Sequence, residues 1–262
     1  MGKTKIAVNA ASGRMGQHLL AEVNHHRQAE LIAAVCRENH RLLGRQVNGS
    51  AIVYQSNLKE ALEKSQVAID FSLPEASVTF AKQASISKTP VLIGTTGFAD
   101  KHLKTLKSLS KSIPVLVAPN TSVGINSMLN LLQQATKMLG KKADIEIIEA
   151  HHKHKLDAPS GTAIRMGETI AKELGKTFDS IAATKSRFER RERGKDEIGV
   201  SVIRAGEIIG EHKVIFALDN EIITLEHKAN NRRCFAEGAV EAAIWLSKQP
   251  PGYYSMQDFV NR

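Results

Sequence analysis

The chain has few cysteines, few aromatic residues and no long hydrophobic run. Its two cysteines, Cys36 and Cys234, are far apart in the 262-residue sequence, which argues against a disulfide framework or a cysteine-based zinc cluster. No stretch approaches the roughly 20 apolar residues that a membrane-spanning helix requires. The first apolar run, residues 6–8, is too short for a signal peptide. We therefore expect a soluble, cytoplasmic protein with no membrane partner.

Positive charge is in excess, with 36 Lys and Arg against 27 Asp and Glu and a formal net charge of +9. This balance fits a nucleic-acid partner, an anionic small molecule or a generally basic surface. Basic residues cluster only in 185–195 (KSRFERRERGK), where glutamates interrupt the run and Phe188 is the single aromatic residue for base stacking. We favour an exposed loop there and expect no nucleic-acid partner.

The first half of the chain alternates short β-rich runs with amphipathic segments, which predicts a parallel sheet with helices on both faces. The predicted strands are 5–10, 29–36, 51–54, 67–72, 90–95 and 114–119, and the clearest helices among them are 15–25 and 100–110. The second half contains predicted helices 122–139 and 160–174, a strand 144–150, and β-rich runs 198–205, 210–218 and 221–228. A last amphipathic helix, 233–248, has a wide apolar face that would return to the first sheet.

These patterns predict an α/β chain with two domains. The first, residues 1–121 completed by 232–262, is a Rossmann-type doubly wound sheet that binds a dinucleotide. The second, residues 122–231, is a C-terminal α+β domain with a mixed sheet that binds the substrate.

A glycine-poor version of a dinucleotide-binding loop follows the first strand. Residues 10–16 (AASGRMG) lie where a Rossmann domain binds pyrophosphate, because backbone N–H groups and the positive end of a helix meet there. Ala10 and Ser12 stand where glycines are usual, whereas Gly13 and Gly16 are retained. A plain tight turn between strand and helix is the alternative.

The end of the second predicted strand carries Cys36 and Arg37 at the place where a carboxylate commonly binds the adenosine ribose. A cation at this place suits a 2′-phosphate, so our hypothesis is a preference for NADPH over NADH. Glu38 follows directly and keeps NADH open. An exposed arginine without a special role is the alternative.

Two further strand ends carry small and polar residues to the edge where doubly wound sheets bind ligands. They are Gly94-Thr95-Thr96 after the fifth strand and Ala118-Pro119-Asn120-Thr121 after the sixth.

The run 151–155 (HHKHK) places five cationic or titratable side chains directly after a strand, just before a helix that begins near 160–162. Strand alternation puts His151 on the same face as Glu149 and His152 on the opposite face. Histidine supplies a general acid near neutral pH, and a neighbouring lysine stabilises developing negative charge. The helix N-terminus offers N–H donors to a carboxylate.

Two other interpretations of this run stay open. Three histidines would bind a metal ion, but the interleaved lysines repel a divalent cation and no Glu or Cys has zincin-like spacing, so we expect no metal. A solvated loop is the second. Under either of them Ser160 caps the following helix.

Several segments of the chain together resemble the dihydrodipicolinate (4-hydroxy-tetrahydrodipicolinate) reductase family. The matching segments are 13–16 (GRMG), 91–98 (VLIGTTGF), 120–126 (NTSVGIN), 149–163 (EAHHKHKLDAPSGTA), 204–206 (RAG), 210–212 (GEH) and 252–256 (GYYSM). The resemblance runs from end to end of the chain. It implies an oxidoreductase that reduces 4-hydroxy-tetrahydrodipicolinate to tetrahydrodipicolinate with NAD(P)H, in diaminopimelate and lysine biosynthesis.

The resemblance also assigns roles to individual residues. It implies that His151 donates a proton, that Lys155 is the second catalytic group, and that His152, Gly161 and Thr162 contact the dicarboxylate substrate. The implied cofactor contacts are Ala10, Ala11, Ser12, Gly13, Arg14, Met15, Arg37, Gly94, Thr95, Thr96, Ala118, Pro119, Asn120 and Thr121. It further implies a homotetramer built by the sheets of the C-terminal domain.

The chain departs from the family pattern at Ala10, Ser12, Cys36 and Thr121, where members often have glycines, an acidic residue and an aromatic residue. These departures leave the reaction intact and the cofactor preference open. A reductase of amino-acid semialdehydes is a second enzymatic hypothesis, although it would not need so many cations in 151–155. A nucleic-acid-binding or regulatory protein is a third.

Overall fold

The computed structural model describes residues 2–183, 192–194 and 197–262. The chain divides into two compact units, Met1–Val123 with Arg232–Arg262 (unit 1) and Gly124–Asn231 (unit 2). The basic run 185–195, predicted to be an exposed loop, lies outside the described residues except for 192–194. Among the described helices, none has the length and apolar character needed to cross a membrane.

Unit 1 is built on a seven-stranded sheet in which all the strand pairs are parallel. Its order in space is β12-β6-β5-β4-β1-β2-β3. The strands are β1 (Thr4–Asn9), β2 (Ala29–Val35), β3 (Tyr54–Gln55), β4 (Val67–Asp70), β5 (Val91–Ile93), β6 (Pro114–Val117) and β12 (Gly252–Tyr254). The helices are α1 (Arg14–His25), α2 (Leu58–Glu63), α3 (Pro74–Ile86), α4 (Asp100–Leu109), α8 (Arg233–Leu246) and α9 (Met256–Val260).

Helices cover both faces of this sheet, which confirms the predicted doubly wound fold. On one face, α1 and α8 bury Leu19, Val23 and Val240 against the sheet. On the other face, Phe80 of α3 and Leu106 of α4 are buried. A sheet buried on both faces needs apolar residues in succession along each strand, which explains why β4 and β5 are apolar throughout apart from Asp70.

The third strand was predicted at 51–54, and this prediction was wrong. Only Tyr54–Gln55 pair with β2. Residues 45–54 instead pair locally, since Val47 N donates to Ile52 O and Tyr54 N donates to Arg45 O. The β-rich composition of this segment therefore serves a local antiparallel turn before the chain joins the parallel sheet.

The sequence analysis assigned no helix to 58–63, 74–86 or 256–260 and no strand to 252–254. Helix α3 has a weak pattern because its buried face contains Ser77 and alanines beside Val78 and Phe80. The short elements β12 and α9 follow Pro250 and Pro251 and are too brief to show a period.

Unit 2 has a five-stranded mixed sheet in the order β11-β10-β7-β9-β8. The strands are β7 (Asp144–His151), β8 (Ala182–Ala183), β9 (Ile198–Arg204), β10 (Glu211–Ala217) and β11 (Ile222–Lys228), and the helices are α5 (Val123–Leu139), α6 (Gly161–Glu173) and α7 (Phe178–Ile181). Strands β7 and β9 are parallel, whereas β10 is antiparallel to β7 and β11. The mixed sheet was predicted and is confirmed.

One face of this sheet packs against helices. Ile147, Val214 and Phe216 are fully buried in a cluster with Leu132 of α5 and Met166 of α6. At the end of the same face, beyond the apolar cluster, lie the side chains of Glu149, His151 and His212.

Candidate active site

In unit 1, the loop between β1 and α1 has the shape expected of a phosphate-binding turn. Ala10 has a φ of +51°, the left-handed conformation that glycine adopts most easily, and its carbonyl accepts a hydrogen bond from Gly13 N at 2.9 Å. A Cβ at Gly16 would overlap Ala10 O and the Ala11 backbone. Helix α1 therefore begins in close contact with the loop, which requires a glycine at position 16.

The donor set of this loop fits the pyrophosphate of a dinucleotide. The Gly13 N-cap makes no side-chain hydrogen bond to the helix, and the first turn of α1 contains no acidic residue. The turn instead begins with exposed Arg14. Its N–H groups and the positive end of the helix dipole are thus not satisfied by a capping side chain, and they suit an anion.

Cys36 and Arg37 lie directly after β2. Cys36 is buried, and burial raises the pKa of its thiol. Arg37 and Glu38 are both exposed, and neither takes part in the ion pairs found among the described residues. The side chain accessible to a ligand at this strand end is therefore the cation or the adjacent carboxylate, not the cysteine.

The predicted cofactor residues of the loop between β1 and α1 and of the carboxyl ends of β5 and β6 differ in exposure. Ser12, Arg14, Met15, Thr96, Pro119 and Asn120 are exposed or partly exposed, whereas Ala11, Thr95, Ala118 and Thr121 are buried. The buried residues support the carboxyl edge of the unit 1 sheet from the interior. Thr121 Oγ1, for example, donates to Phe235 O at 2.7 Å. Phe71, which the sequence analysis missed, lies so close over Gly94 that any Cβ there would overlap its ring.

In unit 2, a buried carboxylate organises the end of the sheet. Glu149 is fully buried and accepts two hydrogen bonds from Arg204, with Arg204 Nη1 to Glu149 Oε2 at 2.8 Å and Arg204 Nη2 to Oε1 at 2.7 Å. Ser160 N donates to Glu149 Oε1 at 2.9 Å. His151 Nδ1 lies 2.6 Å from Glu149 Oε2. Strands β7 and β9 and the start of α6 are thus joined at one side chain.

The carboxylate of Glu149 sets the orientation and the tautomer of His151. Burial on its own would raise the pKa of Glu149, but the hydrogen bonds from Arg204, His151 and Ser160 outweigh it and hold this pKa below its usual value. An ionised carboxylate only accepts hydrogen bonds, so His151 Nδ1 must carry the proton. The other nitrogen, Nε2, is turned toward Gly210, where a Cβ would lie 3.2 Å from it.

Burial lowers the pKa of His151, and nearby Lys155 and Arg204 lower it further. Glu149 acts in the opposite direction without reversing the shift. Arg204 hydrogen-bonds both oxygens of this carboxylate, and its positive charge opposes the effect of Glu149 on the imidazole. His151 is therefore a weak base until a negative group arrives beside it.

A second histidine, His212 of β10, completes the cluster. Its ring lies edge-on to that of His151 with centroids 5.2 Å apart, and its Nε2 is 3.1 Å from Ser160 Oγ. Burial, reinforced by His151, lowers the pKa of His212 to about 4, so it is neutral at physiological pH. A neutral ring next to His151 adds no competing charge.

Lys155 and the start of α6 bring cationic and N–H groups to the same end of unit 2. Lys155 Nζ forms an ion pair with Asp157 at 2.8 Å, which lowers the pKa of Asp157. Ser160 Oγ accepts from Ala163 N at 3.2 Å, so Ser160 is the N-cap, as predicted. Gly161 is exposed with open space around its Cα, and Thr162 and His152 are partly exposed.

The three histidines of the run do not converge. His151 is directed at Glu149, while the His152 and His154 rings are 6.2 Å apart outside the buried cluster. Over residues 2–183, 192–194 and 197–262, no group of three or more His, Cys, Asp or Glu side chains has a geometry that would hold a metal ion.

Sequence reasoning missed the roles of Arg204 and His212. Both lie in the short segments 204–206 and 210–212 that carried part of the family resemblance, so a signal was present. No spacing rule links them to Glu149, since Arg204 is 55 residues away along the chain.

Family models match both units of the chain. One described as dihydrodipicolinate reductase, N-terminus, matches residues 4–121, and one described as dihydrodipicolinate reductase, C-terminus, matches residues 124–260. The chain is also similar to a 4-hydroxy-tetrahydrodipicolinate reductase of Pseudoalteromonas atlantica, with 42% identity over 260 residues that cover 97% of each protein.

A solved structure agrees with the family models. The chain is similar to a dipicolinate-bound dihydrodipicolinate reductase from Paenisporosarcina sp. TG-14, with a TM-score of 0.80 and 25% identity over 98% of this chain and 99% of that one. An aspartate semialdehyde dehydrogenase II from Vibrio cholerae gives a TM-score of 0.56 at 13% identity over 94% and 99% of the two chains. At that identity the second likeness shows the fold alone.

Proposed function

Because this chain belongs to the dihydrodipicolinate reductase family, we propose that His151 is the proton donor in its NAD(P)H-dependent reduction of 4-hydroxy-tetrahydrodipicolinate to tetrahydrodipicolinate. The enzyme is an oxidoreductase of diaminopimelate and lysine biosynthesis that uses a nicotinamide cofactor. The family assignment supports this reaction over the semialdehyde reductase hypothesis, and the absence of a nucleic-acid partner stays a prediction. The observation that carries the proposed role is the geometry of His151, with Nδ1 held by Glu149 and Nε2 turned toward the small Gly210.

The overall reaction takes up one hydride and one proton and releases water from the 4-hydroxy compound. When bound, the reduced nicotinamide supplies the hydride. His151 Nε2 holds the proton and delivers it to the substrate carbon next to the one that accepts the hydride. The Nδ1–H···Glu149 hydrogen bond keeps the imidazole in position and stabilises its protonated form.

Binding of a dicarboxylate substrate would raise the pKa of His151, which is low in the substrate-free site. In the substrate-free site, burial and the neighbouring cations favour the neutral imidazole. Two substrate carboxylates beside the ring favour the protonated form and raise its pKa, so the acid is charged when it is needed. Lys155 and the N–H groups at Gly161 and Thr162 are the proposed contacts for these carboxylates, together with His152.

The decisive experiment is steady-state kinetics on enzymatically generated substrate. His151→Gln and Lys155→Ala should each reduce kcat by a factor on the order of 10² or more, as expected for lost acid catalysis or charge stabilisation. His154→Gln is the matched control, because His154 belongs to the same run but is exposed. Near-wild-type rates for either catalytic variant would refute the assignment.

For the cofactor, we propose a preference for NADPH that rests on Arg37. The exposed guanidinium without an ion-pair partner among the described residues, next to buried Cys36, supports it. Arg37→Ala should reduce kcat/KM for NADPH while that for NADH changes little, with exposed Arg41→Ala as the control. An unchanged NADPH-to-NADH ratio in Arg37→Ala would show that another residue sets the preference.

We also propose a homotetramer assembled through the open face of the unit 2 sheet. This face presents Ile203, 46% exposed, and Ile222, 67% exposed, beside an ion-pair ladder in which Lys213 pairs with Glu226 at 3.4 Å. Exposed isoleucines on a sheet are typical of a covered interface. Ile203→Glu with Ile222→Lys should lower the sedimentation coefficient toward that of a smaller species, whereas exposed Leu131→Glu on α5 should not.

A further inference from the structure

Unit 1 contains a buried carboxylate, Asp70, that the reaction described above does not use. Asp70 ends β4 and is fully buried. Asn9 Nδ2 at the end of β1 donates to its Oδ1 at 2.7 Å. Its Oδ2 is hydrogen-bonded by Ser77 Oγ of α3, by Ser72 Oγ at 3.1 Å and by Thr95 Oγ1 at 3.3 Å. All four partners are uncharged, and they come from four different segments.

These contacts fix the direction of the hydroxyl groups around Asp70. Each hydroxyl has one proton to donate and two lone pairs with which to accept. The Ser77 proton goes to the nearest acceptor, Asp70 Oδ2. Thr95 Oγ1 lies 2.7 Å and Ser72 Oγ 3.1 Å from Ser77 Oγ, but because the single Ser77 proton is already used, both direct their own protons at Asp70 Oδ2. Ser72 Oγ also lies 3.5 Å from Leu73 O, but the ionised Asp70 Oδ2 at 3.1 Å is the nearer and stronger acceptor. With Asp70 ionised, the hydroxyl protons are therefore directed into the cluster, and the outward-facing lone pair of Ser72 Oγ accepts.

Ser72 is the member of this cluster that a ligand reaches. It is partly exposed, whereas Ser77 is fully buried and Thr95 is 5% exposed. The sheet order β5-β4-β1-β2 places Ser72 on the β4 side of the phosphate-binding loop, opposite the β2 side where the adenosine ribose binds in Rossmann domains. Phe71 and Gly94 lie at the same strand ends. The half of the cofactor that would bind on the β4 side is therefore the nicotinamide nucleoside.

We propose that Asp70 is a positioning residue that turns Ser72 Oγ into an obligate hydrogen-bond acceptor for a donor on the nicotinamide nucleoside. This proposal rests on the nicotinamide cofactor of the proposed function. The donor is either the carboxamide N–H or a ribose hydroxyl, which share the chemistry that Ser72 recognises. Asp70 acts through the hydroxyl cluster and does not itself touch the cofactor.

The test reverses the direction of the hydrogen bonds in this cluster without removing a side chain from it. In Asp70→Asn the amide NH2 donates to the hydroxyls, which then direct their protons outward and meet the ligand donor with a donor. Titration calorimetry should show that this variant binds NADPH and NADH more weakly by about tenfold, which corresponds to ~1.4 kcal/mol. Binding of the adenosine-half fragments 2′,5′-ADP and ADP should stay as in the wild type.

Ser72→Ala is an independent test of the proposal, because it leaves Asp70 and its other partners in place. It should also weaken dinucleotide binding while leaving the fragments unaffected, and Ser72→Thr should restore it. Thr79→Ala is the matched control: Thr79 is an exposed hydroxyl residue of the same helix as Ser77, and it bonds only to Glu75 O. Its affinities and melting temperature should equal those of the wild type.

A cofactor analogue distinguishes the two donors. The 3-acetylpyridine analogue carries a methyl group in place of the carboxamide NH2. If Ser72 accepts from the carboxamide, Ser72→Ala weakens binding of the natural cofactor but not of the analogue. If it accepts from a ribose hydroxyl, both weaken equally, and either result supports the proposal.

Two results would overturn it: unchanged dinucleotide affinity in both Asp70→Asn and Ser72→Ala, or an equal loss of fragment binding, which would mark a purely structural role. Failure of the proposed function gives a different signature, namely wild-type protein that binds dinucleotide but does not turn over the substrate.

Discussion

The two units each bury a carboxylate at the end of a strand, and they treat its charge in opposite ways. Asp70 in unit 1 and Glu149 in unit 2 are both 0% exposed. Uncharged donors surround Asp70, and burial raises its pKa despite their hydrogen bonds. Glu149 has the guanidinium of Arg204, so its pKa stays below the usual value even though burial opposes this. The same burial therefore gives a costly anion in one unit and a stable one in the other.

The largest expected effect comes from making Glu149 resemble Asp70. Arg204→Met removes the counter-charge and leaves a buried carboxylate with only His151 and the Ser160 N–H. We expect the free energy of unfolding to fall by about 3–5 kcal/mol, the usual cost of breaking a buried pair. Urea unfolding of the isolated variant measures it.

A double variant shows whether charge is the cause. Adding Glu149→Gln to Arg204→Met removes the stranded anion and should recover part of the lost stability. Arg165→Met on the exposed face of α6 is the control and should change the unfolding free energy by less than about 0.5 kcal/mol. A double variant no more stable than Arg204→Met would contradict the electrostatic explanation.

The next largest effect concerns the reaction rather than stability. Glu149→Gln keeps the shape of the carboxylate but removes its charge, so His151 loses the group that raises its pKa and fixes its tautomer. We expect kcat/KM to fall by a factor on the order of 10². The decline of kcat/KM at high pH should also move to lower pH, because a weaker base is deprotonated earlier.

Glu168→Gln is the matched control for this variant, since Glu168 is exposed on α6. Its pH profile should superimpose on that of the wild type. A Glu149→Gln profile with an unshifted high-pH decline would mean that Glu149 has no influence on the titration of His151.

A smaller effect separates the two carboxylates by the sign of their pH dependence. The folded pKa of Asp70 is raised, so its ionisation lowers stability as pH rises through the window from its unfolded to its folded pKa. The folded pKa of Glu149 is lowered, so its contribution is present above the unfolded pKa and is lost as pH falls through the folded pKa. Relative to wild type, Asp70→Asn should gain stability with rising pH and Glu149→Gln should lose it.

Thermal unfolding in a pH series checks this pair of slopes. If the stabilities of the two variants, relative to wild type, changed with pH in the same direction, the proposed difference between Asp70 and Glu149 would be contradicted.

The smallest expected effect lies in the backbone of the unit 1 loop. Ala10 adopts the left-handed φ of +51°, which costs an alanine about 1–2 kcal/mol, partly offset by the extra entropy of glycine in the unfolded chain. Ala10→Gly should therefore raise the unfolding free energy by up to about 1 kcal/mol. Gly16→Ala, where a Cβ would overlap Ala10 O, should lower it; if it does not, the loop is less tightly packed than described.

The parts of the molecule that the sequence predicted are those with local signals. The Ser160 cap, which the structure confirms, and the predicted roles of His151 and of the loop between β1 and α1 each follow directly from the order of neighbouring residues. The strand at 51–54 was predicted wrongly because local antiparallel pairing and parallel sheet pairing favour the same residue types. Other contacts depend on how distant segments meet, namely the Glu149–Arg204 pair and the contact of Asp70 with Ser77 and Thr95. Neither the composition nor the hydrophobic period of the sequence predicts them.

Ser160 links the start of α6 to His151, the proposed proton donor. Its N–H is bonded to Glu149, its hydroxyl caps α6, and the same oxygen lies beside His212 of β10. His151 consequently acquires its orientation only after β7, β9, β10 and α6 have all docked. Under the proposed role of His151, a unit 2 in which these elements have not docked would lack a positioned acid, so we expect reductase activity to return during refolding after the secondary structure has formed.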